Sequence, residues 1–410
     1  MKIAVLSDLH AFCSDAQQEV NGKKPPAPSL IDFSSLSRKP KTDPLVGFVE
    51  LFQSESELRP DVIILAGDLG DKADTQAIRS VWDELGKLST DIGVRMLLAT
   101  CGNHDLDTRH KQNKFDPRGF LRTLDPGFPY PNQPFHRENQ LEYWAENFTI
   151  VEEDDFRILN INSCAFHGFG EKAEPELEHG RISDITLDEI EKRLSECVSE
   201  APHKQNICLF HHHIKPISTD DFEDSSIMKG AERLLQMLSR VEFGEWFIIH
   251  GHRHRSSLFC AGGNSAPIVL SCASFAATRS GDEHNPTPNQ FYLVELDKFE
   301  SGEFARVTGN IQSWSWTSGI GWQSKTSIPG GLPVKTGFGY RGYIPNLAQE
   351  IEKKLTTVSR LSWSELLEHF PDVGRLMPSD TETLIKSLER LPVVVSEMDG
   401  QIQELVKSNV

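Results

Sequence analysis

The chain has 410 residues, of which 38% are hydrophobic and 25% are charged, and its formal net charge at pH 7 is −18. These values are typical of a folded globular protein with one large domain, alone or with a small appendage, and they exclude a largely disordered chain. No apolar run approaches the roughly 18 residues needed to cross a bilayer, so the sequence predicts no membrane partner.

The charge and the cysteines bear on partners and location. Non-specific binding to nucleic acid depends on Lys and Arg, so the acidic balance favours a small substrate, although a local basic patch would keep nucleic acid as a candidate. Residues 1–6 are too short and too soon followed by charge to form a secretory signal. The seven cysteines are an odd set without a C-x-x-C pair, which favours a reducing compartment. We therefore expect a cytoplasmic location.

The first hundred residues alternate between apolar strands and helices. Apolar runs predict buried strands, and apolar residues at helical spacing predict helices: strands at 2–6, 62–66 and 96–99, helices at 43–57 and 75–88. The polar, Pro-rich residues 11–42 are predicted to form a long loop. Each strand runs into a loop that carries Asp, Asn or His, as is typical of α/β sheets, whose chemistry lies beyond the carboxyl ends of the strands.

The later elements are shorter. Residues 106–147 are predicted to be irregular, followed by a helix at 186–200 and by strands at 156–161, 206–210, 246–249, 268–270 and 291–296. After residue 325 a Gly-rich and Pro-rich linker is predicted, then helices at 346–358, 362–370 and 381–391 and a helical tail from Val393. The sequence thus predicts a main domain over residues 1–325 and a small helical extension over 326–410, which is the expected place for a protein partner or self-association.

Five short blocks of Asp, Asn and His follow predicted strands. They are Asp8-x-His10, Gly67-Asp68-x-x-Asp71, Gly102-Asn103-His104-Asp105, the triplet His211-His212-His213, and Gly251-His252-x-His254. Carboxylate, amide and imidazole groups together suit borderline divalent metals such as Mn, Fe or Zn better than calcium. Two ligands spaced two residues apart in an extended segment point to one side. The glycines leave room beside the ions, and the single carboxylate of Asp68 could bridge two metals roughly 3.5–4 Å apart.

In this order the blocks resemble the signature of the calcineurin-like metallophosphoesterase superfamily, D-x-H, G-D-x-x-D, G-N-H-D/E, a lone His and G-H-x-H, across residues 8–254. The resemblance implies an α/β fold, a four-layer α-β-β-α sandwich of two mixed sheets with flanking helices. It also implies a catalytic domain over residues 1–325 that uses two divalent metal ions, with manganese preferred over iron or zinc.

Roles follow from the resemblance residue by residue. It implies one metal held by Asp8, His10, Asp68 and His254, and a second held by Asp68, Asn103, His211 and His252. His104 would contact a phosphoryl oxygen or protonate the leaving group, and Asp105 would orient His104 by accepting its other N–H. A bridging water, made acidic by the two ions, would attack phosphorus.

The sequence leaves the roles of several further residues open. His212 is an alternative to His211 as the ligand in the triplet, and Asp71 is equally well a loop-fixing carboxylate or a group that supports a ligand. His250 is expected to be a packed core histidine. Weaker candidates for contact with substrate phosphate are Arg109, His110, Lys111, His167, His179, Arg181 and Arg253.

The substrate is less well defined than the chemistry. Protein phosphatases resemble the pattern G-D-x-x-D-R-G and R-G-N-H-E, whereas here Lys72 follows Asp71, Cys101 precedes Gly102, and Asp105 replaces Glu. The pattern is most similar to bacterial phosphodiesterases of the cyclic-nucleotide type, so we expect a small phosphodiester or nucleotide substrate. A DNA or RNA nuclease acting with a partner ATPase, a phosphomonoesterase, and an inactive binding module are the alternatives, and the last is disfavoured because no ligand position is lost.

Overall fold

The computed structural model describes residues 1–17, 25–131, 136–171, 174–177, 179–215, 226–263, 266–278, 281–282, 285–297 and 306–408. The strands are β1 Lys2–Leu6, β2 Val62–Leu65, β3 Met96–Ala99, β4 Phe148–Glu152, β5 Phe156–Ile161, β6 Gly170–Glu171, β7 Glu174–Pro175, β8 Gln205–Leu209, β9 Trp246–His250, β10 Ser257–Cys260, β11 Ile268–Ser271, β12 Gly281–Asp282, β13 Asn285–Pro286, β14 Gln290–Leu296, β15 Gly309–Thr317, β16 Gly321–Gln323, β17 Lys335–Phe338, β18 Arg360–Ser362, β19 Val393–Met398 and β20 Gln401–Lys407.

The α-helices are α1 Pro44–Ser54, α2 Thr75–Asp91, α3 Arg137–Ala145, α4 Asp184–Glu200, α5 Ala231–Leu238, α6 Ile344–Val358, α7 Trp363–His369 and α8 Pro378–Leu388. Short 3-10 turns lie at Ser14–Ala16, Ser56–Leu58, Leu121–Thr123, Val241–Phe243 and Pro371–Arg375. Side chains of Asp43, Asp74 and Ser183 accept N–H groups at the starts of α1, α2 and α4, which fixes where these helices begin. Among the described residues, no helix is both long and apolar enough to span a membrane.

Two mixed sheets of the described residues form the main unit. The first has the order β16-β15-β14-β1-β2-β3, with β17 also paired to β15, and its strands β1, β2 and β3 run parallel. The second has the order β10-β11-β9-β8-β5-β4, with β11, β9, β8 and β5 parallel. The second sheet therefore has parallel central strands and antiparallel edges, whereas in the first sheet the parallel strands lie at one end and the antiparallel strands at the other.

The layers follow from the alternation of side chains between the two faces of each strand. Ile3 and Val5 point between the sheets and pack with residues of the second sheet such as Ile207 and Ile249, while Ala4 and Leu6 point outward toward α1 and α2. The outward side chains of the second sheet pack in the same way against α4 and α5. Because strand side chains alternate between faces, each sheet buries both faces, and the predicted four-layer α-β-β-α sandwich is confirmed.

Residues 344–407 form a separate core of three helices and a small sheet of order β18-β20-β19. Helix, strand, helix, helix and a strand hairpin follow one another, which is the order of a winged helix. The predicted helices are confirmed, but the prediction of a helical tail from Val393 is wrong. The run Val393–Val395 is β-branched, and the left-handed pair Asp399-Gly400 makes the two-residue turn that favours a hairpin.

The C-terminal unit packs against the first sheet. The predicted linker contributes β17, which pairs with β15, and the backbone N–H of Tyr340 donates to the carbonyl of Arg375 at 3.2 Å. Arg375 also forms an ion pair with Asp297, with its Nη2 3.4 Å from Oδ2. A cavity of about 880 Å³ lies between the two units and is lined on one side by α8, including Thr381 and Ile385.

Candidate metal centre

The five predicted blocks lie together at the carboxyl ends of five strands. The loops after β1, β2 and β3 in the first sheet meet the loops after β8 and β9 in the second. Backbone hydrogen bonds join neighbouring loops, since the N–H of Asp8 donates to the carbonyl of Gly67 and that of His10 to the carbonyl of Asp68, both at 3.0 Å. The site therefore sits at the edge that strand polarity predicts.

Sharp turns of the backbone bring the ligands inward. Positive φ angles between 47° and 81° occur at five predicted ligands, namely Asp8, His10, Asp68, His252 and His254. Glycine is required where the loops approach the carboxylates most closely. A Cβ on Gly102 would lie 2.1 Å from Oδ1 of Asp68, and one on Gly251 would lie 2.4 Å from Oδ2 of Asp8.

One group of converging atoms comes from Asp8, His10, Asp68 and His254. Nε2 of His10 lies 3.0 Å from Nε2 of His254 and 3.6 Å from Oδ2 of Asp68. Nε2 of His254 lies 3.4 Å from Oδ1 of Asp8. Imidazole nitrogens and carboxylate oxygens that face one buried point are a donor set suited to a divalent cation.

A second group comes from Asp68, Asn103, His211 and His252. Oδ1 of Asn103 lies 3.2 Å from Nε2 of His211 and 3.1 Å from Nδ1 of His252. Nε2 of His211 also lies 3.3 Å from Oδ2 of Asp68. These donors fit a second cation beside the first.

Asp68 belongs to both groups. Its Oδ2 is the oxygen that faces both His10 and His211, whereas its Oδ1 accepts the backbone N–H of His104 at 2.8 Å. Burial would raise the pKa of Asp68, but the neighbouring His211 and His104 hold it well below its ordinary value. An ionised carboxylate with one oxygen facing both groups fits the bridge that the sequence predicts.

The structure separates the members of the histidine triplet. Nδ1–H of His211 donates to the carbonyl of Ala66 at 2.8 Å, which leaves Nε2 facing Asp68. Burial would lower the pKa of His211, but Asp68 raises it to about 10, so positive charge is favoured at this point. His212 is turned toward Ser163, with Nδ1 2.9 Å from Oγ, and the geometry therefore brings His211, not His212, into the second group.

His104 lies beside the two groups and is held by Asp71, not by Asp105. Nδ1–H of His104 donates to Oδ1 of Asp71 at 3.0 Å. Burial would lower the pKa of His104, but Asp68 and Asp71 raise it above its ordinary value, which favours the protonated imidazole.

The prediction that Asp105 orients His104 is wrong. Asp105 accepts three backbone N–H groups, those of Asp68 at 2.9 Å, Gly70 at 3.1 Å and Gly102 at 2.8 Å. These bonds turn its carboxylate into the protein, away from the neighbouring imidazole. Burial and Asp68 raise its pKa to about 7. Asp105 therefore fixes the backbone of two ligand loops.

Two cavities meet at His104. One, of about 410 Å³, borders the metal ligands and reaches residues 25–28 of the long N-terminal loop. The other, of about 210 Å³, is lined by Lys72, Arg109 and Lys111. Lys72, Asn103 and His104 line both. The larger cavity beside α8 contains none of the predicted ligands.

The weaker candidates separate into two sets. Arg109 and Lys111 project into the smaller cavity, and neither forms an ion pair with a described residue. His110 is held by the carbonyl of Gly168 at 2.7 Å. The others are engaged elsewhere: His167 contacts the carbonyl of His179 at 2.9 Å, His179 and Arg181 pair with Glu176, and Nη1 of Arg253 lies 3.5 Å from Oγ of Ser226. His250 is buried and its ring stacks on Phe210, as expected of a core histidine.

Comparison with known proteins agrees with this geometry. A family model described as "Calcineurin-like phosphoesterase" matches residues 1–256. The chain belongs to this family. The resemblance inferred from the five blocks is therefore confirmed. A second family model, described as "wHTH-Calcineurin_assc", matches residues 336–390 of this phosphoesterase, which include the three helices of its C-terminal winged helix but not the hairpin.

Solved structures to which the chain is similar include two phosphatases and a 5'-nucleotidase precursor by title. A dimetal phosphatase from Danio rerio is 10% identical with a TM-score of 0.48, covering 78% of this chain and 97% of that one. A purple acid phosphatase from yellow lupin is 13% identical with a TM-score of 0.43, covering 78% and 52%. A 5'-nucleotidase precursor from Thermus thermophilus is 13% identical with a TM-score of 0.39, covering 76% and 54%. No curated protein matches the phosphoesterase.

Family membership makes the protein a metal-dependent phosphoester hydrolase, and the family uses two divalent metals. Its buried Asp and His cluster has the donors to hold them. What the sequence did not reveal is the partner of His104. The signal was the second carboxylate of the G-D-x-x-D motif. Asp71 lies three residues after Asp68, and the loop brings it back to the site.

Proposed function

We propose that this phosphoesterase hydrolyses a small phosphodiester of the nucleotide type. The observation that carries the proposal is the groove that extends on both sides of His104. A phosphodiester has an ester group on each side of phosphorus, and a groove that continues in both directions accommodates both. Cavities of this size accept nucleotide-sized ligands rather than a protein surface.

The residues that would hold the two ions are Asp8, His10, Asp68 and His254 for one and Asp68, Asn103, His211 and His252 for the other. Manganese is the preferred metal, with iron and zinc as alternatives. When bound, the two ions supply a water acidic enough to act near neutral pH and neutralise charge on the phosphoryl oxygens. Every other contribution comes from the side chains that surround the substrate.

His104 is proposed as the proton donor. Asp71 fixes its Nδ1–H, so Nε2 is the ring nitrogen left for the leaving-group oxygen. Asp68 and Asp71 raise the pKa of His104 above its ordinary value, which favours the protonated ring that a proton donor needs. Arg109 and Lys111 place positive charge at one end of the groove, where a further anionic group of the substrate would lie.

The experiment compares bis(p-nitrophenyl) phosphate with p-nitrophenyl phosphate after the full chain is loaded with Mn²⁺, followed by cyclic nucleotides and linear DNA. We expect cleavage of the diester and of a cyclic nucleotide, with much slower cleavage of the monoester. Faster cleavage of the monoester would overturn the proposal and establish a phosphomonoesterase. Preference for linear DNA would establish a nuclease.

A nuclease acting with a partner is the second candidate, because winged helices are common in nucleic-acid-binding proteins. The C-terminal unit of this chain, however, gives little support to nucleic-acid binding. Its third helix, α8, lines the cavity that faces the catalytic sheet and carries Asp380 and Glu382 beside Lys386. We propose that the C-terminal unit serves a protein partner or self-association instead. The seven free cysteines support a cytoplasmic location.

A further inference from the structure

A second cluster of metal-binding side chains lies behind the dinuclear site. Cys164 and His167 are in the loop after β5, and His212 is in the triplet after β8. All three are buried, with at most 1% of each residue exposed. The sulfur and one ring nitrogen from each histidine all lie within 4.8 Å of one another. Sγ of Cys164 is 3.9 Å from Nδ1 of His212.

The hydrogen bonds of His167 determine its tautomer. Its Nε2 faces the carbonyl of His179 at 2.9 Å, and a carbonyl only accepts, so Nε2 carries the proton. Nδ1 is then the nitrogen with a free lone pair, and it has no hydrogen-bond partner among the described residues. This is the arrangement of His211, whose N–H also donates to a carbonyl while its other nitrogen faces the dinuclear site. Metal-binding histidines are oriented in this way.

One ring nitrogen of His212 also lacks a hydrogen-bond partner among the described residues. Oγ of Ser163 contacts Nδ1 at 2.9 Å, so that hydroxyl satisfies one ring nitrogen. Nε2 is buried and, within the part of the chain that the structure describes, has no partner. Two fully buried imidazoles that each lack a partner at one nitrogen are uncommon, because unsatisfied buried polar atoms are unfavourable.

We propose that Cys164, His167 and His212 bind a third metal ion, a soft or borderline divalent cation of which Zn²⁺ is the best fit. A thiolate with two imidazoles is a zinc donor set, whereas the dinuclear site offers only oxygen and nitrogen. Donors around tetrahedral zinc lie roughly 3.5 Å apart, so binding requires the three side chains to move closer together than they lie in this structure. A water would complete the coordination.

The position of this ion gives it a structural role. His212 follows His211 directly, and its ring centroid lies 4.5 Å from that of His252. An ion held by His212 would therefore fix two ligands of the second metal without contacting substrate.

Cobalt tests the proposal because a thiolate bound to Co²⁺ gives a near-ultraviolet charge-transfer band that oxygen and nitrogen ligands do not give. The full chain is purified with reductant, stripped with chelator and titrated with Co²⁺ while bound metal is counted. We expect three equivalents and the thiolate band in the wild type, and loss of both the band and one equivalent in Cys164→Ser. The matched control is Cys197→Ser, in α4 outside the cluster, which should keep the band.

Asp68→Asn separates the two sites, because it disrupts the dinuclear site and should leave the thiolate band intact. If Cys164→Ser does not fold, His167→Gln replaces it and should lose one equivalent and weaken the band. Two equivalents without a thiolate band in the wild type, or a band that survives Cys164→Ser, would overturn the proposal.

Discussion

Oδ1 of Asp71 lies 3.0 Å from Nδ1 of His104, and this contact fixes which ring nitrogen faces the groove. Asp71 is also 3.7 Å from Nδ1 of His10, so one carboxylate supports a proposed proton donor and a proposed metal ligand. Carboxylates in this position orient imidazoles and set their tautomer.

Replacing Asp71 by Asn should lower kcat roughly 10–100-fold, because His104 loses its anionic partner. The measurement is steady-state kinetics of Asp71→Asn in the wild-type and His104→Ala backgrounds. Most of the effect should vanish in the second background. An equal decrease in both would show that Asp71 acts elsewhere.

His104→Ala should slow turnover roughly 10²–10⁴-fold, the range for general acid–base catalysis, and leave two metals at the dinuclear site. Kinetics and metal analysis on the same preparation check this. A substrate with a nitrophenolate leaving group, which needs little protonation, should be affected less than a nucleotide. Loss of metal from His104→Ala would contradict the assignment of His104 to substrate.

Asp68→Asn should abolish turnover and reduce bound metal, because it removes the carboxylate whose Oδ2 faces both groups. Metal analysis after exhaustive dialysis and a diester assay are the measurements. Full turnover in this variant would disprove the dinuclear assignment.

Asp105→Ala should act on stability, not on His104. It leaves three buried N–H groups without an acceptor, which should lower the free energy of unfolding by roughly 3 kcal/mol or more in urea titrations. Asp107→Ala is the matched control, since Asp107 also accepts three backbone N–H groups, those of Lys111, Gln112 and Asn113, but near solvent. Asp107→Ala should lower the free energy of unfolding by less than Asp105→Ala does. Equal decreases in the two variants would contradict this explanation.

Duplex DNA should not bind through α8. Acidic side chains outnumber basic ones on this helix, and Glu397 and Asp399 add negative charge in the hairpin. Contacts with DNA phosphates need Lys and Arg instead. Fluorescence anisotropy with a labelled duplex should show no saturable binding at physiological salt. Salt-dependent binding that Lys386→Glu abolishes would reverse this prediction.

The residue types of the candidate site could be read from the sequence because ligand type is a local property, whereas the four-layer arrangement was implied by the family resemblance and not by the strand pattern alone. The sequence could not show which of Asp105 and Asp71 contacts His104. That choice depends on where the backbone of two loops turns. The hairpin at residues 393–407 was missed although Asp399-Gly400 carried the signal. The packing of the C-terminal unit against the first sheet through the turn Pro371–Arg375 depends on tertiary contacts that no local pattern encodes.

The left-handed backbone at five ligand residues has a consequence for the evolution of the chain. Each such residue stores about 1–3 kcal/mol of strain, so the five together reach a large part of a typical domain's stability. Glycine at any of them would relax the backbone and remove a ligand in one step. A duplicated copy that no longer needs turnover should therefore drift toward glycine at residues 8, 10, 68, 252 and 254, and gain thermal stability as it loses chemistry.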